Sequence, residues 1–498
     1  MPAHNALEKS QQKIFRSLKH ELEMIERAKS EDIRSYERAF RASLPLAVKS
    51  ATKQELVRAA RKAQVVLVGD FHPFRQSQKG FLRLLEDSRQ GRVTVGLECV
   101  PVDRQSSLDN FSGGNITAEE LKEEIEFSRE WPFSWDSYRE ILEYCRSHEI
   151  PLFALNLPGQ NRDPGLLHAR DEAAAEVIAA VVQARQRMFV LFGELHLAKP
   201  HLPARLSELG LEALVVHQNE TSLYWKAPKN KLGQRAEVLK LRKNEYCVHN
   251  SVPWVKIRSY LDWLEGDEAW EDGFDLSGSL QNFTDLLAKT IELPPASADS
   301  FAAYGPDELD QARASLSREE KALFQHSLAL HRTTLLPIKK ALLLPTTSTN
   351  ALAEAASLVL WASSHRMKTA PASGSRLVAQ FLVGYLGSKI LNPKRKCNEV
   401  ADLREFLARG GQLKKRAVIR RALSILQKYL KIGKFSSPSL TGTAEIEACR
   451  LAGYILANRL FHALSRDSSL MPFVKSVYGS SNASTAWADH LMKEVSAR

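Results

Sequence analysis

The sequence predicts an α/β fold: a mostly parallel, helix-covered sheet in an N-terminal domain, followed by an all-α C-terminal domain. Three observations carry that expectation. Short apolar runs recur that are continuous rather than alternating, the pattern of strands buried on both faces. Stretches with helical periodicity separate these runs. Beyond about residue 300 the helical patterns stand alone.

Taken in order, Leu7, Ile14, Leu18, Leu22 and Ile25 recur at heptad-like spacing among many charges, so residues 5–45 read as one or two amphipathic helices. Strands are expected at 65–68, 93–97, 151–155, 188–192 and 211–216, with a last one at 246–249. Helices are expected at 81–85, 138–145 and 173–184 between the strands, and at 254–264 after them. The Pro/Ser/Ala segment 293–300 has the composition of a linker. After it, helical patterns occupy 307–316, 319–335, 351–364, 375–391, 399–407, 413–430, 444–464 and 486–495. The expected organisation is therefore helices over 1–50, an α/β domain over 51–292, a linker at 293–300 and a helical domain over 301–498.

Composition narrows the class. At 498 residues the chain exceeds one compact core, so two or three domains are expected. Its five cysteines, Cys99, Cys145, Cys247, Cys397 and Cys449, are scattered without a C-x-x-C pair, which argues against a disulfide framework or zinc ribbon. The N-terminus leads into a charged helical pattern instead of an apolar core of a signal peptide. The most apolar windows, 351–362 and 377–391, are interrupted by polar residues and read as buried helices, so no transmembrane segment is expected. A cytoplasmic location follows as the expectation.

The net charge of +11 is unevenly spread. Thirteen Lys and Arg stand against three acids between Lys394 and Lys434, and eight acids between Asp262 and Asp285 have no basic residue among them. The basic stretch reads first as a solvated helix face. It could contact an anionic surface, but it lacks the interleaved aromatics of a nucleic-acid site, and nucleic acid is not an expected partner.

Functional residues are sought at the carboxyl ends of the strands, where ligands bind in a parallel sheet. Each predicted strand runs directly into polar chemistry. The first reaches Asp70 and His72 in Gly69-Asp70-Phe71-His72, and the second reaches Glu98. The third reaches Asn156, the fourth Glu194 and His196 in Gly193-Glu194-Leu195-His196, and the fifth His217, Gln218, Asn219 and Glu220. Two imidazoles and a carboxylate, His72, His196 and Glu98, have the donor types of a divalent-metal site with an open position for water. Alternatively His72, Glu98, His196 and Glu194 act as acid–base groups, with Asp70, Asn156 and Arg170 holding the substrate. Asp70 and Glu194 could equally orient a neighbouring imidazole. The motif glycines are read as making tight strand-end turns.

Plainer readings stand beside these. A single strand-end His is usually a loop or cap residue, Asp70 alone could cap the next helix, and Glu98 could be solvated. Trp131, Trp135 and Tyr138 read as packing, and the acids Asp171 and Glu172 as partners of a helix N-terminus. His148, His168 and His201 have no evident partner. There is no G-x-S-x-G, P-loop, H-E-x-x-H or G-x-G-x-x-G, which disfavours elbow-type serine hydrolases, P-loop NTPases and Rossmann dinucleotide enzymes.

At these residues the sequence resembles ChaN-like haem-binding uptake domains of the TraB/Tiki and erythromycin-esterase-like superfamily. Residues 65–73 and 95–98 resemble the family's opening Gly-Glu-x-His and its strand ending in Glu. The resemblance continues through Trp135-Asp136-Ser137-Tyr138, Phe153-Ala154-Leu155-Asn156 and Arg170-Asp171-Glu172, and closes on Phe192-Gly193-Glu194-Leu195-His196, spanning about residues 60–225. It implies His72 and His196 as the paired motif histidines and Glu98 as the strand-end glutamate. Asp70 departs from the usual Glu, keeping the charge and shortening the reach. The superfamily includes haem binders and proteins described as metal-dependent proteases. The resemblance therefore implies either a divalent metal acting on a small-molecule or peptide substrate, or a haem bound without catalysis. A scaffold acting through the helical half is the third expectation.

Overall fold

The structure is a computed structural model that describes residues 2–26, 29–158, 166–184, 186–229, 235–269, 276–314, 316–346, 348–365, 374–410, 412–435 and 440–479. The chain divides into two units, Lys19–Glu265 and Met1–Leu18 together with Gly266–Arg498.

In the first unit the apolar runs form one eight-stranded sheet. Its strands are β1 (Lys49–Ala51), β2 (Val65–Asp70), β3 (Val93–Pro101), β4 (Leu152–Asn156), β5 (Arg187–Gly193), β6 (Ala213–Gln218), β7 (Val238–Arg242) and β8 (Glu245–Val248). The order is β1-β7-β8-β6-β2-β5-β3-β4. Strands β8, β6, β2, β5, β3 and β4 run parallel to one another, and β7 pairs antiparallel with both β8 and β1.

The continuous apolarity has the expected cause. Val66 and Val68 join a core on one face with Phe81 and Leu85 of the helix Arg75–Ser88 and with Tyr138, Ile141 and Leu142 of the helix Trp135–Ser147. Val65 and Leu67 point the other way, into a core with Ala174, Ala175, Ile178 and Val182 of the helix Leu167–Gln183. Both faces are dry, so no polar alternation is left in the central strands.

Register aligns the site. Asp70 on β2 lies opposite Gly193 on β5, and Leu97 on β3 lies opposite Leu191 on β5. Strand β3 slips register against β4 between Leu97 and Pro101, which marks an irregularity at Glu98. The carboxyl ends of β2, β5 and β3 thus come level.

Several expectations change. The edge strand β1 and its neighbour β7 carry too few residues, or too much charge, to signal themselves. In the second unit, helices Thr349–His365, Gly374–Leu391, Val400–Arg409, Leu413–Leu430 and Gly442–Arg466 match the periodic segments. The segment expected as a helix over 307–316 is a 3-10 helix, Pro306–Arg313. The helix expected over 319–335 is Arg318–Leu330, stopped by His331 in the left-handed conformation (φ 49°). Its expected last turn instead enters strand β10 (Thr334–Leu336), which joins β9 (Ala302–Tyr304) and β11 (Ala341–Leu343) in a three-stranded sheet beside the helices. The expected helix over 486–495 lies outside the described residues. No helix among the described residues is long and apolar enough to cross a membrane.

In the second unit the part-buried Glu447 is paired. Glu447 accepts from Arg450 Nη2 and Nε, each at 2.6 Å, and from His326 Nε2 at 3.0 Å. Burial opposes its charged form, but these donors outweigh that cost and pull the carboxyl down to about 2. Glu447→Gln is expected to cost about 3 kcal/mol at neutral pH. Because the folded carboxyl titrates below its ordinary 4.5, that stabilisation is present above 4.5 and fades as pH falls toward 2. Urea midpoints of the two proteins should converge across that interval.

In the first unit, a Cβ on Gly80 would lie 2.0 Å from Gln218 Oε1 and 2.9 Å from Asn250 Nδ2. Gln218 cannot yield freely, since its Nε2 donates to Gly69 O at 2.8 Å and Ser77 O at 2.9 Å. In a helix Ala ordinarily gains about 1 kcal/mol over Gly. Here overpacking should win, and Gly80→Ala is expected to destabilise by about 1–3 kcal/mol in urea denaturation.

Candidate functional site

Strand β2 ends on Asp70, and a turn closed by Phe74 N–H to Phe71 O at 2.8 Å carries His72 back over the rim. Asp70 is buried and accepts from His72 Nδ1 at 3.0 Å and from Tyr138 Oη at 2.7 Å; its other oxygen accepts from Gln78 Nε2. These bonds leave Nε2 as the uncommitted atom of the His72 ring, 3.9 Å from Glu98 Oε2. The side chain of His72 retains 22% of its surface.

A second imidazole is held in the same way. After β5 the 3-10 turn Glu194–Leu197 carries His196, whose Nδ1 lies 2.7 Å from Asp171 Oδ1. Asp171 is fully buried and also accepts from Tyr36 Oη at 2.9 Å. His196 Nε2 then lies 4.0 Å from Glu98 Oε1. The alternation is Asp70–His72–Glu98–His196–Asp171, with each Nδ1 on an aspartate and each Nε2 turned to the shared glutamate. A carboxylate on Nδ1 fixes the tautomer and makes Nε2 the basic or ligating atom.

Glycine is what lets them meet. Glu98 Oε2 accepts from the Gly193 N–H at 2.5 Å. A Cβ on Gly193 would stand 3.2 Å from Glu98 Oε2, 3.2 Å from His196 Cδ2 and 3.3 Å from His72 Nε2. Gly193 has φ −48°, a conformation open to any residue, so its value is the space it leaves and not a left-handed turn. This corrects the reading of the motif glycines as turn formers.

The electrostatics are shared. For Glu98, burial opposes the charge, but His72, His196, Arg170 and the Gly193 N–H together hold the carboxyl below its ordinary value. For His72, burial is outweighed by Asp70 and Glu98, which hold the imidazole above its ordinary value.

Other expected residues take different places. Asn156, at the end of β4, is buried, and its Oδ1 accepts from Arg170 Nε at 3.0 Å and from Leu157 N at 3.0 Å. Arg170 is the cation beside Glu98 and His72. Glu194, expected with the catalytic groups, instead has both oxygens on Lys256 Nζ, at 2.7 and 2.9 Å. From the end of β6, His217 Nε2 pairs with Glu245 Oε1 at 3.2 Å, and Gln218 ties down the backbone of Gly69 and Ser77. Four strands supply the site, and the fifth braces it.

Reading by strand ends missed Asp171, Tyr36, Gln78 and Tyr138, which hold the imidazoles from helices. Asp171 corrects the reading of that acid as a helix-terminus partner: it lies inside the helix Leu167–Gln183, against His196. The helical spacing that buries Asp171 among Ala174, Ala175 and Ile178 was the available signal. An aromatic run also borders His72. Its ring lies 4.6 Å from Trp131 and 4.9 Å from Phe133; Phe133 meets Trp263 at 5.1 Å, Trp263 stacks on Tyr260 at 5.8 Å, and Tyr260 meets Phe71 at 5.4 Å. Phe71, Phe133, Tyr260 and Trp263 are all partly exposed.

Gly193→Ala tests the shared space. It should displace His72 and His196 together, shifting their side-chain NMR signals while leaving those of His217 in place. The overpacking cost should be about 1–3 kcal/mol in denaturant unfolding.

Part of the chain is similar to known proteins. Residues 56–163 match the family model described as haem-binding uptake, Tiki superfamily, ChaN. That segment contains Asp70, His72, Glu98, Tyr138 and Asn156, and the Gly193–His196 motif lies beyond it. Among solved structures, one titled "Cofacial heme binding to ChaN of Campylobacter jejuni" is similar at 14% identity, over 40% of this chain and 92% of that one, with a TM-score of 0.31. No curated protein matches. The α/β unit of this chain thus carries a segment similar to the ChaN haem-binding uptake family of the Tiki superfamily.

Proposed function

We propose that the α/β unit is a ChaN-like ligand-binding domain whose strand-end rim takes a haem or related iron porphyrin through His72. The observation that carries this reading is the state of that one side chain. His72 is the partly exposed imidazole of the rim, and Asp70 holds its Nδ1, leaving Nε2 as the atom for a metal. Beside it run partly exposed rings, Phe133, Trp263, Tyr260 and Phe71, an apolar surface suited to a flat macrocycle. The residues present therefore fit the group that the matched family's description implies. His72 would ligate the iron, with Asp70 and Tyr138 orienting it and Trp131 and Phe133 flanking it. Bound haem would supply a redox-active iron.

A second reading rests on the doubled arrangement. Two imidazoles, each with an aspartate on Nδ1, bracket the two oxygens of Glu98 at 3.9 and 4.0 Å. Such a set could hold a divalent cation or a water and act as an acid–base pair in hydrolysis. However, His72, Glu98 and His196 do not form a group whose ligand atoms all lie within 4.8 Å of one another. They surround Glu98 more than they converge on one point, and the porphyrin reading is preferred for that reason.

The test is a haem titration of the full chain followed in the visible spectrum, with metal analysis of the same preparation. A shifted Soret band that His72→Ala abolishes and His196→Ala leaves largely intact is the expected result. Asp70→Asn should weaken haem by about 10- to 100-fold, the usual cost of losing the partner that orients a ligand. No Soret change, with a bound divalent ion lost in both His72→Ala and His196→Ala, would overturn this reading in favour of the second.

A further inference from the structure

Asp171 faces a second cluster on the side away from Glu98. The ligand-capable atoms of His168, Asp171 and His201 all lie within 4.8 Å of one another. Among the described residues this is the one trio of His, Cys, Asp or Glu that meets that condition. We propose that these three residues bind a divalent transition-metal ion of the zinc class, at a site distinct from the rim.

The cluster has the features of a ligand site, beyond proximity. His201 is 7% exposed, and neither of its ring nitrogens has a hydrogen-bond partner among the described residues. A buried imidazole with both nitrogens unsatisfied is costly unless something occupies one of them. The ring is also held in place. It stacks on Tyr36 with centroids 3.6 Å apart and planes 3° from parallel, and its Nδ1 is 3.9 Å from Asp171 Oδ2. Packing has fixed this imidazole without giving it a partner.

The other two donors suit the same ion. Asp171 has already committed Oδ1 to His196 Nδ1, so Oδ2 is the oxygen that faces His201. Tyr36 Oη donates to that oxygen at 2.9 Å and lies 3.3 Å from His168 Nδ1, so the hydroxyl links those two residues. On the outer side, Arg205 Nη2 is 3.3 Å from His168 Nε2, so Nδ1 is the inner atom of that ring. Two imidazoles and one carboxylate form a donor set for zinc, cobalt or nickel, and are poor in oxygen for calcium or magnesium. Arg205, the cation beside His168, is already paired with Glu208 at 2.8 Å.

The experiment is calorimetric titration of Zn2+ into metal-free full chain, with Co2+ as an optical probe of imidazole ligation. His201→Ala and His168→Ala should each weaken Zn2+ by at least about 10- to 100-fold, since loss of a ligand costs no less than loss of its orienting partner. His72→Ala should leave that Zn2+ event unchanged. His168 is exposed, so its variant reports even where His201→Ala perturbs packing. Zn2+ binding that survives both variants, or that only His72→Ala removes, would overturn the proposal, as would no Zn2+ binding to the parent chain. Haem titration of His168→Ala separates the two sites: a retained Soret shift alongside lost Zn2+ supports the second site, whatever the fate of the first.

Discussion

The site depends on an absent side chain. Strand β5 lies between β2 and β3, so anything carried at the ends of those outer strands must reach across it. Gly193 ends β5 without a Cβ, in space that His72 Nε2, Glu98 Oε2 and His196 Cδ2 approach to 3.2–3.3 Å. Its N–H, aimed at Glu98, gives the carboxylate a backbone partner that no side-chain change can remove. Register makes the rest follow, because Asp70 stands level with Gly193 and Leu97 with Leu191. Three groups from three strands meet above one gap.

Burying that many charges is costly unless they compensate each other. The alternation of Asp70, His72, Glu98, His196 and Asp171 does so by placing an imidazole between every two carboxylates, with Arg170 as an added cation near Glu98. Each aspartate is satisfied from outside the rim, by Gln78 and Tyr138 on one side and Tyr36 on the other. The outer shell therefore orients, while the inner atoms, the two Nε2 and the oxygens of Glu98, remain for a ligand.

What could be read in the sequence follows from this division. The strands were legible because both faces of the sheet are dry, leaving unbroken apolar runs whose ends point at His72, Glu98 and His196. The supporting shell was not, because Tyr36, Gln78, Tyr138 and Asp171 sit on helices at sequence distances set by packing, and no spacing rule connects them to the motifs. Asp171 next to Glu172 looked like an ordinary helix-start acid; only the helix's inward face distinguishes the two, Asp171 buried and Glu172 exposed. For Glu194 the motif gave no sign of its partner, because Lys256 lies 62 residues further on. The short strands β9 to β11 had no period to detect, and a left-handed His331 ended a helix that apolar spacing alone would have continued.

Asp171 gives the fold a further property. One oxygen sets the tautomer of His196, and the other faces Tyr36 and His201. A carboxylate with two faces cannot change its charge density on one without the other sensing it. A cation drawn to Oδ2 would lower the basicity of Oδ1, loosen its grip on His196 Nδ1, and so make Nε2 less basic. The aspartate of His72 draws instead on Gln78 and Tyr138. The two imidazoles of the rim look equivalent in their motifs, yet only His196 is wired to a second cluster. His72 is free to meet a ligand, and His196 is placed to report on what lies behind it.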